Sequence, residues 1–168
     1  SRVDYRTGGV YALEKPEELL TNIPELKNIV NIENVLTPFK KMSEDLNYKD
    51  WQKLAELTAK EINKNQGVII TQGTDTLHFT SAALSFMLKN LCKPVVFVGS
   101  QRSPDRGSSD AFMNLICSAY AATSDIAEVG VCMHATTDDE YCYFTRGTKV
   151  RKMHSTRRDA FRSINEMP

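Results

Sequence analysis

The sequence of 168 residues predicts a doubly wound α/β fold, in which a mostly parallel sheet carries helices on both faces. Three short apolar runs, at 67–71, 93–100 and 127–135, alternate with two helical patterns, at 77–90 and 108–123. A continuous apolar run suits a strand that is buried on both faces, and strands that alternate with helices are typical of parallel sheets. The chain length suits one domain with a single sizeable core.

The elements outside this alternation are predicted from local patterns. Residues 14–26 suit a short helix with Pro16 near its first turn, and residues 27–36 are rich in Ile and Val, as strands are. Residues 48–65 place their apolar side chains at helical spacing, which predicts an amphipathic helix. Residues 140–150 suit a hairpin-like pair of short strands.

The composition excludes several classes of protein. Lys and Arg together number 21, as do Asp and Glu, so no overall charge favours binding to a nucleic acid or a membrane. No apolar run approaches the roughly 20 residues of a membrane span, and no signal peptide is visible. We expect a cytoplasmic protein. Four cysteines without a CxxC pair favour buried free thiols over a metal site, and these are Cys92, Cys117, Cys132 and Cys142.

Polar segments follow each of the three predicted strands, at 72–76, 100–109 and 134–140. Ligands of open α/β sheets bind at the carboxyl ends of the strands, so these segments are the candidate site. Thr74 and Asp75 have two interpretations. They could cap the following helix, or they could present a hydroxyl and a carboxylate to a pocket as nucleophile or oxyanion site.

Two further segments leave alternatives open. Residues 100–109 could form a solvated loop, a ligand cover or a subunit contact, and they lack the glycine patterns of phosphate-binding loops. The stretch 146–163 could contact RNA phosphates, although a solvated loop or a subunit contact is favoured. One of its lysines could turn inward as a base. Ser108 or Ser109 is predicted to cap the helix at 108–123.

Four segments, in order along the chain, resemble the asparaginase/glutaminase family. The family's flexible loop with a catalytic tyrosine resembles DYRTGGV, and its substrate-binding segment resembles MSEDLNYKDWQKLA. Its second threonine motif, HGTDT, resembles QGTDTLHFTSAALSFML. Its catalytic-lysine segment resembles GTKVRKMHSTRRDAFRSIN. Within the family, VGSQRSPDRGSSDA and VCMHATTDDE are most similar to the D subunits of the archaeal glutamyl-tRNA(Gln) amidotransferases.

The resemblance implies roles for individual residues in a two-stage amide hydrolysis. Thr74 would be the catalytic threonine, whose hydroxyl attacks the side-chain amide carbon of the substrate. Lys152 would activate a hydroxyl, Asp75 would orient the site, and Tyr5 would be the loop tyrosine.

The resemblance also implies how the substrate is held. Asp75 would meet the substrate's α-ammonium group, while Ser43 and Glu44 would contact its α-carboxylate and α-ammonium groups. Gln72 stands where the family motif has histidine, which leaves Thr74 and Asp75 in place.

The resemblance implies a glutaminase-like component of a tRNA-dependent amidotransferase. It would release ammonia from glutamine or asparagine, without a metal or cofactor of its own. The E subunit of the amidotransferase, as its partner, would use that ammonia with ATP and Mg²⁺ to convert Glu-tRNA(Gln) into Gln-tRNA(Gln). The intact protein would be a homodimer that reaches tRNA(Gln) through the complex. The alternatives are a free L-asparaginase and a non-catalytic module that binds an amino acid.

The resemblance further implies that residues 1–168 are an incomplete N-terminal domain. The family's first threonine motif, TGGTIA, would immediately precede the loop of Tyr5, and a smaller C-terminal domain would follow residue 168. Because the first motif supplies a catalytic threonine, residues 1–168 alone could lack activity.

Overall fold

The computed structural model describes residues 2–11, 20–165 and 167–168. In chain order its elements are β1 (Arg2–Val3), β2 (Val10–Tyr11), α1 (Leu26–Ile29), a 3-10 turn (Ser43–Asp45), α2 (Tyr48–Ile62), β3 (Val68–Thr71), α3 (Leu77–Met87), β4 (Val95–Val98), α4 (Ala111–Ala122), β5 (Val129–His134), β6 (Cys142–Arg146), β7 (Val150–Lys152) and β8 (Phe161–Ser163). None of the helices in these ranges is long and apolar enough to cross a membrane.

The central sheet has the strand order β3-β4-β5-β6. β3, β4 and β5 are parallel, and β6 runs antiparallel to β5 at one edge. Two antiparallel ribbons accompany the sheet, β1 with β2 and β7 with β8. The predicted mostly parallel α/β sheet is therefore confirmed.

Strand β4 shows why the sequence reads as a continuous apolar run. Val95 and Phe97 pack on one face of the sheet with α2 and α3, whereas Val96 and Val98 pack on the other. All four side chains are buried, with Val98 the most exposed at 3%. Successive residues of a strand point to opposite faces, so a strand covered on both sides needs an apolar residue at every position.

The predicted helices and buried strands form within the expected ranges, but the cap of α4 differs. Its N-cap residue is Asp110, not Ser108 or Ser109. Ser109 still accepts a hydrogen bond from the backbone N–H of Ala111, at 3.2 Å. The carboxylate of Asp110 accepts hydrogen bonds from the backbone N–H groups of Gln101 and Arg102 and from the side-chain amide of Asn114 in α4.

The predicted strand at 27–36 is wrong. Helix α1 takes up its first residues, because Leu26 is buried against α4 beside Leu115. Residues 30–36 have no regular structure, and Ile32, Val35 and Leu36 are exposed. A strand needs a neighbouring strand to complete its hydrogen bonds, and within the described residues the sheet ends at β3. The predicted helix at 14–26 lies largely outside the described residues.

The predicted hairpin at 140–150 is also wrong, although both of its strands form. β6 pairs with β5 and β7 pairs with β8, so the two strands belong to different sheets. The pairing of β6 depends on a close contact, since a Cβ atom on Gly130 would lie 2.2 Å from the ring of Phe144. Local pattern predicts a strand, but this long-range packing selects its partner.

Candidate active site

The centre of the candidate site is a contact between two distant segments. Thr74 and Asp75 follow β3 at its carboxyl end, and Lys152 is the last residue of β7. The Nζ atom of Lys152 donates to Thr74 Oγ1 and to Asp75 Oδ1, at 2.8 Å in each case. Thr74 and Lys152 therefore lie within the reach that activation of a hydroxyl by Lys152 would require. Their catalytic roles stay predictions.

The burial of these groups shows which side of the site is open. Thr74 is 8% exposed and the side chain of Lys152 is 9% exposed, whereas that of Asp75 is 63% exposed. A substrate can therefore approach from the side of Asp75. A hydroxyl beside a buried amine is the arrangement that nucleophilic catalysis requires, because the base must reach the proton that it removes.

Helix capping does not explain Thr74 and Asp75. The N-cap residue of α3 is Thr76, and no side chain makes a cap hydrogen bond there. The hydroxyl of Thr74 and the carboxylate of Asp75 face Lys152 instead. The first of the two interpretations from sequence is thus wrong.

The predicted substrate-binding residues lie next to this centre. Ser43 is 3% exposed in the 3-10 turn, and its Oγ atom lies 3.2 Å from Glu44 Oε2 and 3.4 Å from Asp75 Oδ2. With Lys152, the group contains two carboxylates and one ammonium. This excess of negative charge suits a positively charged group of a ligand.

Two glycines allow these segments to approach each other. A Cβ atom on Gly73 would lie 2.9 Å from Ser43 Oγ. A Cβ atom on Gly99, which follows β4, would lie 2.7 Å from the carbonyl oxygen of Gln72 and 3.0 Å from Thr74 Cγ2. Neither role was predicted from the sequence. The available signal was a glycine within two residues of the end of a buried strand.

Tyr5 does not lie with the other predicted catalytic residues in this structure. It is 71% exposed in the turn between β1 and β2, and its hydroxyl donates to the carbonyl of Asp105 at 3.0 Å. The backbone N–H of Val3 donates to the carboxylate of the same aspartate. The N-terminal ribbon thus rests on the loop 100–109, and the catalytic role of Tyr5 stays a prediction.

The buried His134 and the exposed Asp139, both in the segment 134–140, belong to one hydrogen-bond network. The ring of His134 lies between Asn114 Oδ1, at 2.6 Å, and Asp139 Oδ1, at 2.9 Å. Asn114 also donates to the carbonyl of Gly99 at 3.0 Å. The hydrogen bond with His134, together with that from Arg158, holds the pKa of Asp139 below its usual range. Through the hydrogen bond from Asn114, this network holds the backbone of the loop at Gly99.

Several basic residues of 146–163 are used within the chain. Arg157 and Arg162 both pair with the buried carboxylate of Asp159, and Arg158 pairs with Asp139. The hydrogen bond from Arg157 is the main cause of a lowered pKa of Asp159. Lys152 is the lysine that turns inward. Among the described residues, no group of three or more His, Cys, Asp or Glu is arranged to hold a metal ion.

Known proteins are similar in sequence to this chain over its full length. The family model described as "Asparaginase, N-terminal" matches residues 1–168. The D subunit of glutamyl-tRNA(Gln) amidotransferase from Pyrococcus furiosus is 58% identical over the whole chain, which covers 38% of that protein. The corresponding protein of Archaeoglobus fulgidus is 54% identical, and the chain covers 40% of it. The chain thus spans well under half the length of these relatives.

Solved structures show the same fold. The thermostable L-asparaginase from Thermococcus kodakarensis has a TM-score of 0.81 and 28% identity, over 99% of this chain and 48% of that one. A probable cytoplasmic L-asparaginase from Campylobacter jejuni has a TM-score of 0.79 and 27% identity, over 89% of this chain and 46% of that one. The strand ends of this sheet, the inward lysine and the match of the N-terminal family model over residues 1–168 lead to one conclusion: the chain belongs to the asparaginase family.

Proposed function

We propose that this chain belongs to the amide-cleaving component of a tRNA-dependent amidotransferase. This component releases ammonia from glutamine or asparagine, and a partner protein uses it with ATP and Mg²⁺ to convert Glu-tRNA(Gln) into Gln-tRNA(Gln). The observation that carries the proposal is the 2.8 Å contact between Lys152 Nζ and Thr74 Oγ1. The relatives named as amidotransferase D subunits, at 54% to 58% identity, support the choice of partner reaction.

The chemistry assigns one step to each group. The neutral amine of Lys152 accepts the hydroxyl proton of Thr74 while Thr74 Oγ1 forms a bond to the amide carbon of the substrate. The tetrahedral intermediate then expels the amide nitrogen, which takes that proton from Lys152 and leaves as ammonia. Water attacks the resulting ester, which releases the amino acid and restores the hydroxyl of Thr74.

The neighbouring residues hold the substrate for this reaction. The carboxylates of Asp75 and Glu44 attract the α-ammonium group, and the hydroxyl of Ser43 donates to the α-carboxylate. These contacts place the side-chain amide towards Thr74. In this proposal Tyr5 joins the site only after the turn between β1 and β2 leaves its contact with Asp105. We further propose a cytoplasmic homodimer without a cofactor of its own, which reaches tRNA(Gln) through the complex with the E subunit of the amidotransferase.

The test uses the full-length protein, alone and with its partner, ATP, Mg²⁺ and Glu-tRNA(Gln). We expect the complete mixture to increase the release of ammonia from glutamine or asparagine. The released nitrogen should be found in Gln-tRNA(Gln). Thr74→Val should abolish the use of glutamine, while added ammonium chloride should restore Gln-tRNA(Gln) formation by the same complex. That rescue separates a lost amidase step from a broken complex.

Two outcomes would contradict the proposal. Robust asparagine hydrolysis by the protein alone, unchanged by partner and tRNA, would identify a free L-asparaginase. Amino-acid binding without ammonia release under any condition would identify a non-catalytic module.

A further inference from the structure

We propose that Thr76 is a positioning residue, which holds Ser43 in place for the substrate's α-carboxylate. The Oγ1 atom of Thr76 donates to the carbonyl oxygen of Ser43 at 2.6 Å, although 33 positions separate the two residues. The amide of Gln72 donates to Thr76 Oγ1 at 3.3 Å. The inference rests on the proposed function, because it assigns Ser43 to the binding of an amino-acid substrate.

The position of Thr76 makes this use of its hydroxyl informative. Thr76 is the N-cap residue of α3, where a Ser or Thr hydroxyl ordinarily accepts a hydrogen bond from the helix backbone. No such bond is present. The hydroxyl instead donates to the backbone of the 3-10 turn. The start of α3 therefore has no side-chain cap, and the turn is held by a hydrogen bond from Thr76.

The direction of each hydrogen bond follows from the groups involved. A carbonyl oxygen only accepts, so the single proton of Thr76 Oγ1 points to Ser43. The oxygen then accepts from the amide nitrogen of Gln72. This arrangement gives Gln72 a function, since it orients the hydroxyl of Thr76 towards the turn. Gln72 occupies the position at which the HGTDT motif has histidine.

The anchored residue contacts both carboxylates of the site. Ser43 Oγ lies 3.2 Å from Glu44 Oε2 and 3.4 Å from Asp75 Oδ2. The contact between Ser43 Oγ and Asp75 Oδ2 is long, and a bound substrate would displace it because both atoms would contact the substrate instead. The hydrogen bond from Thr76 is short and goes to the backbone of Ser43, so it makes no use of Ser43 Oγ.

The fold around the turn has supports of its own. The indole of Trp51 in α2 donates to Thr80 Oγ1 in α3 at 3.1 Å, and Asn47 and Asp50 form a capping box at the start of α2. Loss of the Thr76 hydroxyl should therefore let Ser43 shift without unfolding the domain. Binding of the substrate, rather than the chemical step at Thr74, should carry the effect.

The test compares Thr76→Val with Thr76→Ser in the full-length protein with its partner. Valine keeps the shape but removes the hydroxyl, and serine keeps the hydroxyl. We expect Thr76→Val to raise KM for the amide substrate about five- to thirtyfold, from the loss of one hydrogen bond to a buried acceptor. The same variant should change kcat by less than about threefold, and Thr76→Ser should keep KM within about threefold.

Calorimetric binding of the product amino acids, L-glutamate and L-aspartate, gives a second measurement that needs no turnover. Binding should weaken in Thr76→Val and be retained in Thr76→Ser. Hydrolysis with an unchanged KM in Thr76→Val would overturn this inference alone. Weakened product binding in a protein that hydrolyses no amide would support the inference and overturn the proposed function. A wild-type protein that neither hydrolyses amides nor binds either amino acid would overturn both.

Discussion

The Nζ atom of Lys152 lies 2.8 Å from the hydroxyl oxygen of Thr74, although 78 positions separate the two residues. The same nitrogen lies 2.8 Å from Asp75 Oδ1, so one buried amine joins the end of β7 to the end of β3. Groups in direct contact act as a unit, and their substitutions are therefore expected to be coupled. The first prediction tests that coupling.

Thr74→Val and Lys152→Met should each lower kcat for amide hydrolysis by the full-length protein by about 10²- to 10⁴-fold. The double variant should lose hardly more than either single variant, because a nucleophile and its base fail together. Lys149→Met, which changes an exposed lysine of the same segment, is the matched control and should leave kcat unchanged. Multiplicative losses in the double variant would argue against a shared role.

Gly99→Ala should destabilise the protein and lower its activity. The added methyl group would lie 2.7 Å from the carbonyl oxygen of Gln72, so the ends of β3 and β4 would have to separate. We expect the free energy of unfolding in urea to fall by about 1–3 kcal/mol. Gly107→Ala is the control, because a Cβ atom there meets nothing within 4 Å. Equal effects of the two substitutions would contradict the close approach.

His78 should make stability depend on pH near neutrality. Burial is the main cause of its lowered pKa, and the positive charges of Arg151 and Lys152 add to it. In the unfolded chain the pKa of histidine is about 6.5, so the unfolded state takes up a proton first as the pH falls. The stabilisation is therefore complete above about pH 7 and is lost as the pH falls through 6.5 towards the lower pKa of the folded state.

Urea unfolding between pH 5 and pH 8 measures this effect. His78→Gln should flatten the dependence in that window, whereas His154→Gln, at an exposed position, should leave the wild-type slope. A wild-type slope that persists in His78→Gln would assign the dependence to another group.

Cys117 should be the most reactive of three neighbouring thiols, which are those of Cys117, Cys132 and Cys142. A hydrogen bond from Cys142 lowers the pKa of Cys117 to about 7, and the same pairing raises the pKa of Cys142. In a Cys92→Ser background, the alkylation rate of Cys117 by iodoacetamide should reach half its maximum near pH 7. Cys142→Ala should move this midpoint upwards. A midpoint that stays the same would show that Cys142 is not the cause.

Local pattern predicted much of the fold. The apolar runs of β4 and β5 were identifiable because both faces of these strands are buried. The run of β3 was identified in the same way, although Ile70 is the one buried residue of that strand. The helices were identifiable from their periodic apolar residues. The strand expected at 27–36 failed for the complementary reason. Its Ile and Val content suits a strand, but a strand forms only where a neighbouring strand supplies hydrogen-bond partners.

The site was predicted to a similar extent. The strand ends marked Thr74 and Asp75, and the family resemblance added Ser43, Glu44 and Lys152. Neither source predicted the roles of Gly99 and Thr76. Their contacts depend on how closely two strand ends and a distant turn approach each other. The periodic pattern of apolar residues within one segment carries no information about that distance.

The sequence by itself determined the α/β class, the carboxyl-end location of the candidate site and the residue types that a nucleophilic site requires. These properties follow from periodicity and from residue chemistry, which are local. Only the tertiary structure decided that Thr74 faces Lys152 instead of capping α3, and that Thr76 anchors Ser43 instead of the helix. A hydroxyl has one proton and a few directions in which to bond, and only the packed fold determines which partner is within reach.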